Sequence, residues 1–201
     1  MGKRLSWLIL LGILPVALVL GCGEQGKVDQ GRVIAFSKDK TDTDKDTVTF
    51  IIDVKHDAAN PDYSGAAVTF LLPKVPSERG EDPKPGLRMK LDAKAKEIVI
   101  YDPAAKAMKK ISYSLLDQKE GVAKDDPLVQ GKKFPIVDRT KKAITIYSGR
   151  QKLLTTFSVP DEYLSLPDNT WEAGDEVRIY YKEPGKAARF MNITKTDIFK
   201  K

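Results

Sequence analysis

The strongest constraint on this chain is a series of short runs in which apolar and polar residues alternate, each ended by Gly, Pro or an Asp-rich turn. Thr47-Val48-Thr49-Phe50-Ile51-Ile52, Ala67-Val68-Thr69-Phe70-Leu71-Leu72 and Glu176-Val177-Arg178-Ile179-Tyr180-Tyr181 are rich in β-branched and aromatic residues. Leu87-Arg88-Met89-Lys90-Leu91 alternates apolar with basic. A period of two places one set of side chains on each face of a strand, and runs this short are strands rather than helices. Further runs fall at Val33–Phe36, Glu97–Tyr101, Met108–Tyr113, Ile136–Val137, Ala143–Tyr147, Leu153–Val159 and Ala188–Thr194. The predicted fold class is all-β.

The runs repeat. Thr69-Phe70-Leu71-Leu72-Pro73 matches Thr156-Phe157-Ser158-Val159-Pro160. Each is followed by a polar stretch, a Gly (Gly86, Gly174) and an alternating basic strand. Upstream, Thr49-Phe50-Ile51 pairs with Thr145-Ile146-Tyr147. The repeat predicts two tandem domains, 31–113 and 134–201, each a small five- to six-stranded barrel of the OB or SH3-like type. Closure removes the exposed edges of a small sheet. The alternative is one β-sandwich built from all the strands. Residues 114–133, with Gly121, Asp125-Asp126-Pro127 and Gly131, are predicted to be a linker with one helical turn near its start.

The N-terminus follows different rules. Met1-Gly2-Lys3-Arg4 carries two cations, and an apolar run extends from Leu5 to Leu20. Gly21 and Cys22 close it. A cationic start, a short apolar stretch and a small residue before the cut describe a secretory signal over 1–21. The run is shorter than the roughly 20 residues a spanning helix needs, and Pro15 interrupts it. Met1–Ser6 also fits the N-myristoylation pattern, which leaves the apolar run without a purpose.

Val19-Leu20-Gly21-Cys22 resembles the lipobox of bacterial lipoproteins. The resemblance implies cleavage between Gly21 and Cys22, a diacylglycerol on the Cys22 sulfur and an acylated new amine. Leu20 stands where that family usually has a smaller side chain. Cys22 is the one cysteine, so no intramolecular disulfide forms. Two or three acyl chains anchor a protein stably where one does not. Residues 22–30 are predicted to be a flexible tether. Gly23 rather than Asp follows the cysteine, which by the same resemblance favours the outer membrane, facing the periplasm, over the inner membrane. Gly31-Arg32-Val33-Ile34 and Pro85-Gly86-Leu87-Arg88-Met89-Lys90-Leu91-Asp92 resemble an uncharacterised family of lipoproteins from sulfate-reducing bacteria. That resemblance implies an envelope location and no particular activity.

Charge adds little. The chain has 34 Lys and Arg against 28 Asp and Glu. Lys3 and Arg4 leave with the signal, and the remaining surplus of cations lies after residue 131. Mixed charge of this kind keeps a domain soluble. An exported protein has no call for nucleic acid, so none is expected as a partner.

Few catalytic constellations are available. His56 is the one histidine and sits in a predicted loop. There is no G-x-S-x-G elbow, no Cys/His zinc set and no glycine-rich phosphate loop. No cofactor is expected. A carboxylate-pair hydrolase acting on envelope polymers stays open, because acids are abundant. Asp42, Asp44, Asp46 and Asp53 imitate the ligand spacing of a calcium loop, although Thr47 stands where the sharp turn needs Gly. Trp171, Tyr180 and Phe190 are a possible ligand face if they gather on one side of a barrel. The reading favoured by the residues is a non-enzymatic, membrane-anchored module that binds an envelope protein or polymer.

Overall fold

The structure, a computed structural model, describes residues 25–39, 45–57 and 60–196. It is all-β. The strands are β1 (Lys27–Ser37), β2 (Thr47–Ile52), β3 (Ala67–Leu71), β4 (Arg88–Asp92), β5 (Glu97–Asp102) and β6 (Ala107–Ser112). They continue as β7 (Ser114–Lys119), β8 (Ile136–Asp138), β9 (Ala143–Ser148), β10 (Leu153–Ser158), β11 (Glu176–Tyr181) and β12 (Arg189–Asn192). One short helix, α1 (Asp161–Leu164), follows β10.

The strands form three antiparallel sheets, ordered β12-β11-β1-β2-β3, β7-β10-β9-β8 and β4-β5-β6. The first sheet mixes the two halves of the sequence. β1 pairs with β11 from Lys27↔Tyr181 to Arg32↔Glu176. The expected tandem order is therefore corrected. One unit contains β1–β3 with β11 and β12, and the other contains β4–β10 inserted between them.

The repeat explains this exchange. In the first unit β11 and β12 lie beside β1-β2-β3. In the second, β4 and β5 accompany β8-β9-β10. Each copy of the repeat thus contributes its first three strands to one unit and its last two to the other. The two crossings meet at the repeated glycines. A Cβ at Gly174 would collide with the Val33 carbonyl, and one at Gly86 would collide with Glu172 and Gly174 backbone. Only glycine lets the crossing segments pass this closely.

Each unit has its own core. Val33, Phe50, Phe70, Val177, Ile179 and Phe190 fill the first. Ile98, Ile111, Ile144, Ile146, Phe157 and Trp171 fill the second. The repeated phenylalanines therefore do equivalent work in different units. Phe70 packs on Phe50 and Tyr181, and Phe157 packs on Tyr113 and Trp171. A smaller cluster of Ile51, Tyr63, Leu87, Met89 and Tyr101 joins the units. Two separate cores also replace the single-sandwich alternative.

None of the three sheets closes into a barrel, contrary to the sequence expectation. In the first unit no ladder joins the edges β3 and β12; isolated bridges run from Leu71 of β3 to Lys186 in the β11–β12 connection, and from Arg79, beyond β3, to Phe190 of β12. Pro73, just after β3, has no N–H to extend a ladder. In the second unit β4 and β8 are both sheet edges and share no ladder.

Two segments read as irregular are strands. Lys27–Gln30, expected within the tether, forms the start of β1 against β11. Ser114–Lys119, expected in the linker, is β7 against β10. Both are polar and gain order from a partner more than 30 residues away in sequence. β6 runs through the buried Tyr113 directly into β7, so one stretch of chain borders two sheets.

The second unit's hairpins share one turn design. Asp92, Asp102, Asp138 and Ser148 each accept a backbone N–H two or three residues on. Four residues beyond each, Lys96, Lys106, Lys142 and Lys152 have φ of 54, 50, 51 and 49°. Asp and Ser favour such local bonds. Lysine in the left-handed region is uncommon and costs about 1 kcal/mol.

Candidate functional site

Two features stand out: a buried ionic junction where the units meet, and an open cleft beside β4 in the second unit.

The junction begins with residues that alternation would place on the outside of their strands. In β11, Val177 and Ile179 point into the first core, so Glu176 points the other way. It is nevertheless buried, because the second unit covers that face. Glu176 Oε1 accepts hydrogen bonds from the Tyr63 hydroxyl and from Arg150 Nη2, the latter at 2.5 Å. Arg32 Nη2 lies 3.6 Å from the same oxygen. The Arg32 guanidinium also sits over the Tyr63 ring, 4.3 Å from its centre. Arg32 Nη1 reaches across to β4 and donates to the Met89 carbonyl at 2.7 Å and the Arg88 carbonyl at 3.3 Å.

Arg88 lies beside this group, with Nε donating to the Trp171 carbonyl at 2.9 Å. Burial first, then repulsion from Arg32, lowers its pKa to about 10. Burial is also the main force lowering Arg32, opposed by Tyr63 and Glu176. Burial raises the Tyr63 phenol well above its ordinary value, against the pull of Arg32. These shifts have a structural cause: Arg32 and Arg88 are withdrawn from water side by side, and the Glu176 carboxylate pairs with Arg32 and Arg150 rather than with Arg88. The network joins β1, β4, β11 and the β9–β10 turn. Its contacts run from the first unit to the second, Arg32 to the β4 carbonyls and Arg150 to Glu176.

The cleft lies at the C-terminal end of β4. It has a volume of about 490 Å³ and is open to solvent. Leu91, Ala93 and Leu153 line its apolar part, and Lys90, Lys94 and Lys152 stand around it. Asp92 and Glu120 also line it. Asp92 receives the Ala95 amide and pairs with Lys90 at 3.1 Å, and these contacts, the amide first, hold its carboxyl below the usual range. Glu120 accepts a hydrogen bond from Gln118 Nε2. A general acid for glycoside hydrolysis needs a raised pKa. Asp92 is held in the opposite direction.

The residues singled out by sequence fare differently. Gly21, Cys22, Asp42 and Asp44 lie outside the described residues. Asp46 and Asp53 are both fully buried, but they flank opposite ends of β2, roughly 23 Å apart along the chain at about 3.3 Å per residue. Asp46 accepts from Arg79 and from the Asp39 amide, both at 2.7 Å. Asp53 Oδ1 accepts the amides of Lys55 and Asp62. The strand between them corrects the calcium-loop reading, which required both acids around one ion. Asp46 and Asp53 instead tie the ends of the β1–β2 and β2–β3 connections. His56 is exposed, with φ of 51°.

The aromatic ligand face is also corrected. Trp171 is fully buried in the second core, and Phe190 is buried in the first. Tyr180 is half-buried and lies over Gly26, where any Cβ would meet its ring. The three never share a surface, because the exchange of strands sends Trp171 and Phe190 to different units.

Arg32, Tyr63, Arg88, Arg150 and Glu176 were not marked as a group by their spacing in sequence. One signal was present. Arg32 and Arg88 each stand inside an apolar strand directly after a Gly-led entry, Gly31-Arg32-Val33 and Gly86-Leu87-Arg88-Met89.

No curated protein and no solved structure matches the chain. A family model does match, over residues 24–201, which takes in every described residue of both units. On that match the chain belongs to the family defined by the domain of unknown function DUF4881.

Proposed function

We propose that the chain is a lipid-anchored lipoprotein of the bacterial cell envelope, held to the membrane through acylated Cys22. Its β body is a non-enzymatic module that binds another envelope component. The observation that carries the anchor is the order Lys3-Arg4, Leu5–Leu20, Gly21-Cys22, followed within five residues by β1. The match to DUF4881 beginning at residue 24 supports the same division between leader and body.

The shortened tether sharpens this reading. Only Gly23–Gly26 separate Cys22 from the start of β1 at Lys27. Four residues span at most about 14 Å when extended. The body therefore rides close to the head groups rather than far from them.

Binding rather than catalysis is supported by the chemistry of the cleft. It offers lysines, an apolar floor and carboxylates already engaged by neighbours, an arrangement suited to holding an anionic, partly apolar ligand. The anchor is tested by intact-mass measurement of native protein and by Cys22→Ser. The expected species begins at Cys22 with added acyl mass, and the variant leaves the membrane fraction. A species that begins at Met1, or an unlipidated Cys22, overturns the reading.

A further inference from the structure

We infer that the outer edge of β4 is the docking position for one extended, acidic segment of a partner protein, added as a strand. This deepens the binding-module reading above and rests on it.

The first observation is a missing strand. In the first unit β11 is flanked on one side by β12 and on the other by β1, through six residue pairs. β4 is the repeat equivalent of β11, since each follows one of the paired glycines and each pairs with the next strand in sequence. Yet β4 has a strand on one side only. The strand equivalent to β1 is β8, which has three residues and pairs with β9 alone. Beside β4 the Glu172–Ala173 segment meets only the start of the edge, where the Arg88 N–H donates to the Glu172 carbonyl at 2.9 Å, and no strand continues along it from Met89 onward.

The second observation is what meets the vacant edge. The Met89 carbonyl is taken by Arg32 at 2.7 Å, and the Leu91 carbonyl by the Gln151 side-chain amide at 3.1 Å. In a sheet these carbonyls would accept backbone N–H groups from a neighbouring strand. Gln151 is exposed and sits in a turn, so it is readily displaced. Arg32 is buried in the ionic junction and closes the Met89 end. The open part of the edge begins at Leu91, where the cleft lies.

The third observation selects the occupant. Main-chain bonds along a sheet edge supply affinity for any extended peptide, and flanking side chains supply specificity. Lys94 and Lys152 are exposed on the cleft and have no ion-pair partner among the described residues. The cleft's own acids are engaged, Asp92 by Lys90 and Glu120 by Gln118. Alternate residues of an added strand face opposite ways. A segment alternating acidic with apolar residues places one set toward Leu91 and Leu153 and the other toward Lys94 and Lys152.

The test uses the full chain, purified in detergent and isotopically labelled, titrated with an end-blocked alternating Glu–Val octapeptide. The expected result is saturable binding in the range of about 0.1–1 mM, with the Leu91 amide shifted and protected from exchange. An alternating Lys–Val peptide should bind at least about tenfold more weakly, as should the Glu–Val peptide to a Lys94→Glu, Lys152→Glu chain. Both lysines are exposed, and an unchanged spectrum elsewhere shows that the variant folds. N-methylation of alternate peptide amides should abolish binding. Equal binding of the methylated peptide, or saturation without change at Leu91, overturns the proposal. So does concentration-dependent protection of Leu91 in the chain alone, which makes a second copy the occupant. Cys22→Ser separates the two readings: the variant should leave the membrane fraction and still bind the Glu–Val peptide, so retention at the membrane overturns the anchor alone, and absence of peptide binding to a variant that has left the membrane overturns the β4 edge alone.

Discussion

The two units run the same strand order with different outcomes. In the first, β12-β11-β1-β2-β3 forms one continuous sheet. In the second, β5-β4 and β8-β9-β10 are arranged alike, but the central ladder is absent and the unit divides into two sheets. It is held instead by Tyr113 between β6 and β7, by Trp171 and by α1 against the core. One missing strand pairing thus divides what is a continuous sheet in the first unit into two sheets in the second. The lesson is that a repeated pattern of core residues preserves strand order while leaving pairing free to differ.

The comparison is tested most severely at the repeated phenylalanines. Phe157→Ala and Phe70→Ala should each destabilise by about 3–5 kcal/mol, since both rings are buried among aromatic neighbours. Because the chain crosses between the units twice, calorimetry should show one cooperative transition for each variant. A Phe70→Ala protein in which one unit melts ahead of the other would mean that the units are thermodynamically separate.

A middle-sized effect belongs to the crossing. Gly174→Ala forces a methyl group against the Val33 carbonyl, and a cost of roughly 2–3 kcal/mol in urea unfolding is expected. Gly86→Ala should behave similarly if the two glycines are equivalent. A neutral result at either one would break the proposed correspondence.

The smallest effect has the opposite sign. Lys106→Gly removes a side chain from a left-handed position in an exposed turn and should stabilise by about 0.5–1 kcal/mol. Lys142→Gly is the matching change in the β8–β9 turn. A loss of stability in both would mean that those lysines hold contacts worth more than the strain.

Much of this was legible in the residues themselves. Alternation in Thr47–Ile52, Leu153–Ser158 and Glu176–Tyr181 marked strands because side-chain direction is a local property of the backbone. Pro73 and Pro160 marked their ends because proline removes a donor. The paired Thr-Phe and Gly signals marked two copies of one pattern. The cleft was not legible, since it is lined by the end of β4, the segment after β7 and the β9–β10 turn, which are far apart in sequence.

Partnership was decided only in three dimensions. Nothing local in Lys27-Val28-Asp29-Gln30 distinguishes a strand from a tether; β11, nearly 150 residues later, makes it one. Glu176 reads as the polar face of its strand, and it is buried because the second unit packs over it. Asp46 and Asp53 read as two ligands of one loop, and β2 holds them apart. In each case the residue pattern set which face of a strand is apolar, while long-range packing chose what lies against the other.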